Sequence, residues 1–256
     1  MSRNFELLQR SAADVSGVSE REIQQLLTDE PRVAAEEKSQ TQPVLSFDQM
    51  AKEEIAKLVQ TVFHAHQESP RRAVLFAAIN SGSGCTWIST RSAEILSSSV
   101  SEPVCLVDAN FRTPSRRGVL GPTNQYGLAD ALRTQRPIRE FVRQIDTRNL
   151  WLLPGGTGAE AAAGSLGSDR MKTLLGELRK EFGYVVIDGP PLSAYADSLG
   201  LGHVVDGIVL VLEANVTRRE VGLQVTERLR SMNLKVLGAV LNKRTFPIPN
   251  FLYHLI

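Results

Sequence analysis

Six short runs of continuously apolar residues divide most of this chain into regular segments. Continuous apolarity without alternation is typical of strands that are buried on both faces of a sheet. Helical patterns lie between most of the runs, for example at Asp169–Glu181 and Thr217–Met232. This rhythm predicts an α/β fold with a mainly parallel, doubly wound sheet and helices on both faces. The runs are Ala73–Ala78, Val104–Val107, Leu150–Leu153, Tyr184–Ile187, Gly207–Leu212 and Val236–Leu241.

The composition limits the classes of function. Lysine and arginine total 29 against 28 acidic residues, so no overall field attracts nucleic acid or an anionic membrane. The two cysteines form no disulfide framework and suit a reducing compartment. No apolar run approaches the roughly 18 residues that cross a bilayer, and no signal peptide is recognisable. We therefore expect a cytoplasmic protein without direct membrane insertion, recruited to the inner face of the membrane by a partner.

The pattern along the chain predicts two parts. Residues 1–45 are polar and poorly patterned, which predicts a flexible N-terminal tail, with a short docking helix beginning near Ser19 as the alternative. Regular periodicity begins at Ser46, where Ser46 and Gln49 form a capping-box signal for a helix. Residues 46–256 are therefore predicted to form one domain, and the 42% hydrophobic content of the whole chain supports a sizeable core.

A glycine-rich loop follows the first predicted strand and precedes a helix. A phosphate-binding loop needs glycines, a helix N-terminus, a lysine for the β- and γ-phosphates and a hydroxyl for magnesium. Cys85 stands where the lysine belongs, and a Ser/Gly turn between strand and helix is common on its own. The candidate nucleotide-binding residues here are Ser81, Gly82, Ser83, Gly84, Cys85 and Thr86.

Two aspartates extend this signal. Asp108 follows the strand at Val104–Val107, and Asp188 follows the strand at Tyr184–Ile187. Ligands of such sheets bind at the carboxyl ends of the strands. Asp108 is expected on the strand next to the loop. We therefore expect Asp108 and Asp188 to meet the loop in one crevice. Either aspartate alone is more simply a helix cap or a turn residue. Together with Thr86 they are the candidate magnesium ligands.

The chain then resembles a known family over roughly residues 46–245. It is similar to the bacterial tyrosine kinases, the P-loop autokinases of capsule and exopolysaccharide synthesis, which are related to partitioning ATPases. Several sequence blocks carry the resemblance through their order and spacing. They are LVDANFRTP, YGLADALR, LWLLPGG, GSDRMKTLLGELRKEFGYVVIDGPP, DSLGLGHVVDGIVLVLEANVTRREV and LKVLGAVLNKR.

The resemblance implies a nucleotide site for ATP or ADP with Mg²⁺. It implies a phosphate loop at residues 78–86, a second Walker-type motif at Asp108–Arg112 and a Walker B acid at Asp188, with Asp108 and Asp188 as catalytic residues. It also places Asn242, just after the last strand, beside the adenine base. Thr245 stands where a GTPase would carry an acid, which favours adenine over guanine.

Four departures from the family bear on its activity. The lysine is Cys85, and the second carboxylate of the family's D-x-D motif is Asn110. The helix motif that closes the family's subunit ring carries Lys57 and Gln60 where two arginines are expected. The tyrosine-rich C-terminus is reduced to Tyr253. All four weaken the same reaction, so nucleotide binding is expected to be weak or lost, and assembly limited to a weak homo-oligomer.

Three hypotheses follow. The first is a catalytically impaired tyrosine-kinase homologue that regulates an exopolysaccharide or capsule export machine through a transmembrane chain-length or export adaptor. The second is an active ATP-dependent tyrosine autokinase or ATPase, in which Arg112 or a neighbouring subunit replaces the lysine. The third is a positioning ATPase of the partitioning type. Its signature lysine early in the loop is absent, because Asn80 and Ser81 stand there.

Overall fold

Seven strands form a single sheet in the part of the chain that the structure describes. The structure is a computed structural model that describes residues 47–64, 71–111, 126–146, 149–192 and 197–244. The predicted tail at residues 1–45, Arg112 and Tyr253 lie outside these ranges. The strands are β1 (Ala73–Ala78), β2 (Val104–Asp108), β3 (Arg143–Asp146), β4 (Leu150–Leu153), β5 (Tyr184–Asp188), β6 (Gly207–Glu213) and β7 (Val236–Asn242).

The strand order is β3-β4-β2-β5-β1-β6-β7. Every neighbouring pair is parallel except β3 and β4, which are antiparallel. The six strands that the sequence predicts are therefore confirmed. The additional strand, β3, was not predicted, because its four residues form no continuous apolar run. Gln144 and Ile145 are exposed at the edge of the sheet.

Seven α-helices are found in the described residues, with one π-helical turn at Gln60–His64 after the first of them. Two are close to their predicted bounds: the helix predicted at Asp169–Glu181 has those ends, and the one predicted at Thr217–Met232 runs from Arg219 to Ser231. None of the described helices is long and apolar enough to cross a membrane. The helices are α1 (Phe47–Val59), α2 (Cys85–Ser99), α3 (Leu128–Arg133), α4 (Ala159–Ala162), α5 (Asp169–Glu181), α6 (Asp197–Gly202) and α7 (Arg219–Ser231).

Helices cover both faces of the sheet, as the continuous apolar runs predict. Alternate residues of one strand enter different clusters: Leu75 packs in the cluster that contains Leu174 of α5, whereas Phe76 packs in the cluster that contains Ile55 of α1 and Ile88 of α2. All six residues of β1 are buried. A strand with an apolar face on each side needs two covering layers, so the doubly wound α/β fold is confirmed.

The sheet order corrects one detail of the sequence-based prediction. Asp108 was expected on the strand next to the loop strand, but β5 lies between β1 and β2. Asp188 therefore occupies the position beside the loop, and Asp108 is one strand further away. Asp108 and Asp188 are partners in the parallel register of β2 and β5. The carboxyl ends of β1, β2 and β5 consequently meet at one edge of the sheet, as predicted.

Candidate functional site

The loop after β1 has the backbone shape that its glycines allow. Gly82 and Gly84 have φ angles of +84° and +86°, in the left-handed region that favours glycine. Gly84 is the residue before α2, whose first residue is Cys85. Ser83 is fully buried and its hydroxyl donates to the Asn80 carbonyl at 2.9 Å, whereas Ser81 and Gly82 are exposed. The loop thus presents an open backbone at the N-terminus of a 15-residue helix.

Asp188 lies directly behind the start of α2. The Thr86 hydroxyl donates to Asp188 Oδ2 at 2.6 Å. Asp188 is fully buried, and its other oxygen, Oδ1, has no hydrogen-bond partner among the described residues. A buried carboxylate oxygen without a partner is costly, so a cation or a donor bound at this atom would lower that cost.

Asp108 contributes a second carboxylate to the same crevice. It is almost fully buried, and the Asn110 backbone N–H donates to Asp108 Oδ1 at 3.1 Å. Burial, and then the negative charge of Asp108, raise the pKa of Asp188 to about 7, although the polar neighbours Thr86, Cys85 and Ser89 act to lower it. No lysine or arginine is among the described groups that shift this pKa. Two acids therefore lie side by side at the carboxyl ends of β2 and β5.

Cys85 occupies the position of the missing lysine and lies beside Asp188. Its side chain is buried, and burial, followed by the charge of Asp188, raises the pKa of the thiol well above its usual value. The thiol is therefore neutral, although the N-terminus of a helix by itself favours a thiolate. Cys85 supplies neither the positive charge of a lysine nor a reactive nucleophile.

Asn242 reaches the loop from the end of β7. Its side-chain Nδ2 donates to the Ser83 carbonyl at 2.8 Å. The structure thus brings Asn242, the loop, Thr86, Asp108 and Asp188 to one edge of the sheet, although they are far apart in sequence. The roles of these residues as ligands and catalytic groups stay predictions.

The donor set suits magnesium held together with phosphates. Carboxylate and hydroxyl oxygens from Asp188, Asp108 and Thr86 are hard ligands of the kind that Mg²⁺ prefers. No cluster of three or more His, Cys, Asp or Glu residues suited to hold a metal ion by itself is found in the described part of the chain. Mg²⁺ is usually bound by one or two carboxylates plus substrate phosphates, so this sparse set fits a metal that arrives with a nucleotide.

A further buried carboxylate, Asp130, was missed in the sequence. It accepts hydrogen bonds from the Gly127 N–H (2.9 Å), the Thr157 N–H (2.9 Å), the Thr157 hydroxyl (2.6 Å) and Arg133 (2.8 Å). Burial opposes ionisation, but these bonds hold the pKa of Asp130 below its usual value. The network fixes the loop after β4, where Gly155 packs beside Asp108. Gly127, Asp130 and Arg133 lie in the block YGLADALR, and Thr157 directly follows the block LWLLPGG, but nothing in the sequence shows that Asp130 joins the two.

Comparisons with known proteins add to this geometry. No family model matches the chain. The tyrosine-protein kinase YwqD of Bacillus subtilis is 32% identical over 139 residues, which cover 54% of this chain and 59% of YwqD. The succinoglycan biosynthesis transport protein ExoP of Rhizobium meliloti is 28% identical over 178 residues, 68% of this chain and 22% of ExoP. The chain therefore spans less than two thirds of the length of either relative.

The kinase domain of VpsO aligns with a TM-score of 0.68 and 27% identity over 78% of this chain and 100% of that domain. The chain resembles the bacterial tyrosine kinases. This resemblance, inferred above from the sequence blocks, is thus confirmed by relatives and by structural neighbours alike. The similarity to VpsO covers the whole kinase domain, so the tyrosine-kinase-like fold accounts for most of the chain.

More distant neighbours confirm the P-loop fold alone. A ParA-family ATPase from Chlorobium tepidum aligns with a TM-score of 0.56 and 17% identity, over 68% of this chain and 74% of the ATPase. A cobyrinic acid a,c-diamide synthase from Mycobacterium smegmatis, with bound ADP and magnesium, aligns with a TM-score of 0.54 and 20% identity, over 66% of this chain and 73% of the synthase. ADP and magnesium are thus bound by one of the proteins that share the P-loop fold.

Proposed function

We propose that this chain is a catalytically impaired, tyrosine-kinase-like P-loop protein that regulates exopolysaccharide or capsule biosynthesis and export. The observation that carries the proposal is Cys85, a neutral and buried side chain at the position where the family has a lysine. The proposed nucleotide is ATP or ADP with Mg²⁺, held weakly. Residues 46–256 would form the domain that binds it, and residues 1–45 a separate tail.

Each part of the site has a role in this proposal. The loop backbone at Ser81–Gly84 and the N-terminus of α2 would hold phosphate oxygens, as helix N-termini do. Thr86, Asp188 and Asp108 would hold Mg²⁺, which supplies charge neutralisation to the phosphates when it is bound. Asp188 must lose its proton to act as a ligand, and a pKa of about 7 makes that loss incomplete at neutral pH.

The absence of the lysine charge would affect phosphoryl transfer more than nucleotide binding. In phosphoryl transfer, negative charge spreads over the oxygens of the transferred group, and a lysine ammonium stabilises it. Here the thiol of Cys85 offers a weak dipole instead, beside the two carboxylates. Asn110 is buried and neutral at the position of the family's second carboxylate, so it would not accept a proton from an attacking hydroxyl. Both departures act against catalysis and leave the fold intact.

The proposed setting is a polysaccharide export machine. ExoP is a succinoglycan biosynthesis transport protein, and the resemblance seen in the sequence blocks is to the autokinases of capsule and exopolysaccharide synthesis. We propose a transmembrane chain-length or export adaptor as the partner, and a cytoplasmic location at the inner face of the membrane. Through its conformation, with or without nucleotide, the domain would regulate that partner.

We expect weak, magnesium-dependent ATP binding and no autophosphorylation. Loss of one charge-assisted contact costs roughly 1.5–3 kcal/mol, which is about 10- to 150-fold in affinity. Calorimetric titration with ATP, with Mg²⁺ and with EDTA, measures the first expectation. An anti-phosphotyrosine blot after incubation with Mg²⁺ and ATP measures the second. Sub-micromolar affinity would contradict weak binding, and a strong blot from wild type would favour an active kinase.

We also expect monomers or dimers rather than a ring. Lys57 forms an ion pair with Glu54 of its own helix at 2.7 Å, and both side chains are exposed. Such exposed pairs contribute little, and lysine lacks the two-pronged carboxylate recognition of arginine. Light scattering at micromolar concentration measures the assembly, with a Lys57→Arg, Gln60→Arg variant as the comparison. A particle of eight subunits from wild type would contradict this expectation.

A further inference from the structure

The strand at one end of the sheet, β7, is long and apolar and has an exposed edge. Among the described strands, β7 pairs only with β6, so the other side of its backbone has no strand beside it there. Its seven residues, VLGAVLN, include no charged residue and no proline. Gly238 and Ala239 are exposed, and Leu241 is 57% exposed. An edge of this kind is a template for pairing with a further strand.

The strand at the opposite end of the sheet, β3, is built differently. It has only four residues, RQID, of which one is apolar. Short edge strands with charged side chains are a usual means by which proteins prevent unwanted strand pairing. β7 has neither the short length nor the charges, so the contrast between the two edges favours an occupant on β7.

The sequence that follows β7 suits this edge. Residues 245–256, TFPIPNFLYHLI, lie outside the described ranges and contain no Asp, Glu, Lys or Arg. Seven of these 12 residues are hydrophobic, whereas segments that remain solvated are usually charged and poor in hydrophobic residues. Both prolines, Pro247 and Pro249, come before residues 250–256. Residues 250–256 therefore match β7 in length and can supply backbone donors throughout.

The backbone begins to turn where β7 ends. Lys243, the residue after the strand, has a φ angle of +58°, in the left-handed region that non-glycine residues rarely adopt. A connection of residues 243–249 would contain both prolines, which cannot donate to a strand ladder and are common in turns. A hairpin with this connection places Phe251 opposite Leu241 and Tyr253 opposite Ala239.

We propose that residues 250–256 pair with the exposed edge of β7 as an antiparallel eighth strand, so that Tyr253 is held in the sheet. The large side chains of Tyr253 and His254 would lie over the two small residues of β7. Nothing lies within 4 Å of a Cβ atom placed on Gly238, so there is room for them, and aromatic side chains that cover a glycine stabilise an edge strand.

The pairing has a consequence for Tyr253. Its partner Ala239 lies three residues before Asn242, which is roughly 10 Å along a strand. A tyrosine held at that position is kept out of the crevice and could not accept a phosphoryl group there. This consequence rests on the proposed function, in which the crevice holds ATP, but the pairing itself does not.

Hydrogen exchange at residues 236–242, measured by mass spectrometry on the full chain without nucleotide, tests the pairing. The double variant His254→Pro, Leu255→Pro keeps Tyr253 and removes two successive donors, one of which must point toward β7. Exchange in β7 should become about 2- to 12-fold faster, as expected for each hydrogen bond lost. Thr245→Pro is the control, because it adds a proline to the connection, and it should leave exchange unchanged. Equal exchange in wild type and both variants would overturn the proposal.

A cross-link decides the occupant even if the proline variant fails to fold. Opposed residues of an antiparallel pair lie within reach of a disulfide, and the native cysteines are both buried. Ala239→Cys with Tyr253→Cys should form a disulfide within one chain, whereas Gln144→Cys with Tyr253→Cys, which uses the opposite edge, should not. No disulfide, or equal yields from both pairs, would overturn the proposal. A disulfide between two chains would overturn it in favour of a second copy on β7. Neither measurement requires nucleotide, so failure of the proposed function would leave both results decisive.

Discussion

ATP binding becomes at least about tenfold tighter when Cys85→Lys and Asn110→Asp are combined, as expected for one restored charge-assisted contact. The lysine would extend from the first position of α2, close to Asp188, and the new ammonium would reach the β- and γ-phosphates. The aspartate would return a carboxylate to the family's D-x-D position. Calorimetric titration of wild type, both single variants and the double variant measures the gain.

The two changes act on one cluster of charges, so their effects should not add. Asn110→Asp alone adds a third acid near Asp108 and Asp188, and its negative charge should weaken the binding of phosphates. Cys85→Met is the matched control, because it adds length without charge, and its affinity should not exceed that of wild type. If the double variant showed no gain in ATP affinity, the loop would no longer be able to hold phosphate. The chain would then share the fold of the family but not its nucleotide binding.

Thermal stability above pH 7 is expected to increase in Asp188→Asn. Burial and the charge of Asp108 raise the pKa of Asp188 from 3.8 to about 7, so the folded protein retains a proton that the unfolded chain has lost. The stability of the fold that depends on this proton is fully present below about pH 4 and is lost as the pH rises through 7. Above pH 7 the destabilisation approaches about 4 kcal/mol, and asparagine, which has no charge, avoids it.

The melting temperature measured from pH 4 to 8, without Mg²⁺ or nucleotide, tests this expectation. Wild type and Asp188→Asn should coincide near pH 4 and differ by roughly 10 °C at pH 8. Asp169→Asn is the control, because Asp169 is an exposed acid whose pKa is lowered by Lys172. That variant should show no gain between pH 5 and 8. Equal pH profiles for wild type and Asp188→Asn would contradict a raised pKa.

Much of the fold could be predicted from the sequence because buried parallel strands carry an uninterrupted apolar signal. β3 carries no such signal: it is an edge strand of four residues with Gln144 in its middle, so local pattern could not separate it from a loop. The order of strands was also not predictable in detail. Which strand lies beside β1 depends on how the crossovers pack, and the sequence alone did not place β5 between β1 and β2.

The candidate site was predictable in its members but not in its electrostatics. Strand ends identify Asp108 and Asp188, because position after an apolar run is a sequence property, whereas Asn242 was implied only by the family resemblance. The raised pKa of Asp188 depends on its burial and on the cross-strand distance to Asp108, which only the assembled sheet defines. The direction of the Asn242 amide likewise depends on Ser83, a contact that spans 159 residues.

Because of the four hydrogen bonds of Asp130, two segments of the chain must be transferred together when a chimera with a related protein is made. One carboxylate serves donors at Gly127, Arg133 and Thr157, so the start of α3 and the loop after β4 depend on the same side chain. The backbones are also joined directly, because the Leu128 N–H donates to the Pro154 carbonyl at 2.8 Å. A chimera that imports this loop from a relative must therefore import residues 127–133 with it. If either segment were grafted alone, the buried carboxylate of Asp130 would lose part of its hydrogen-bond partners.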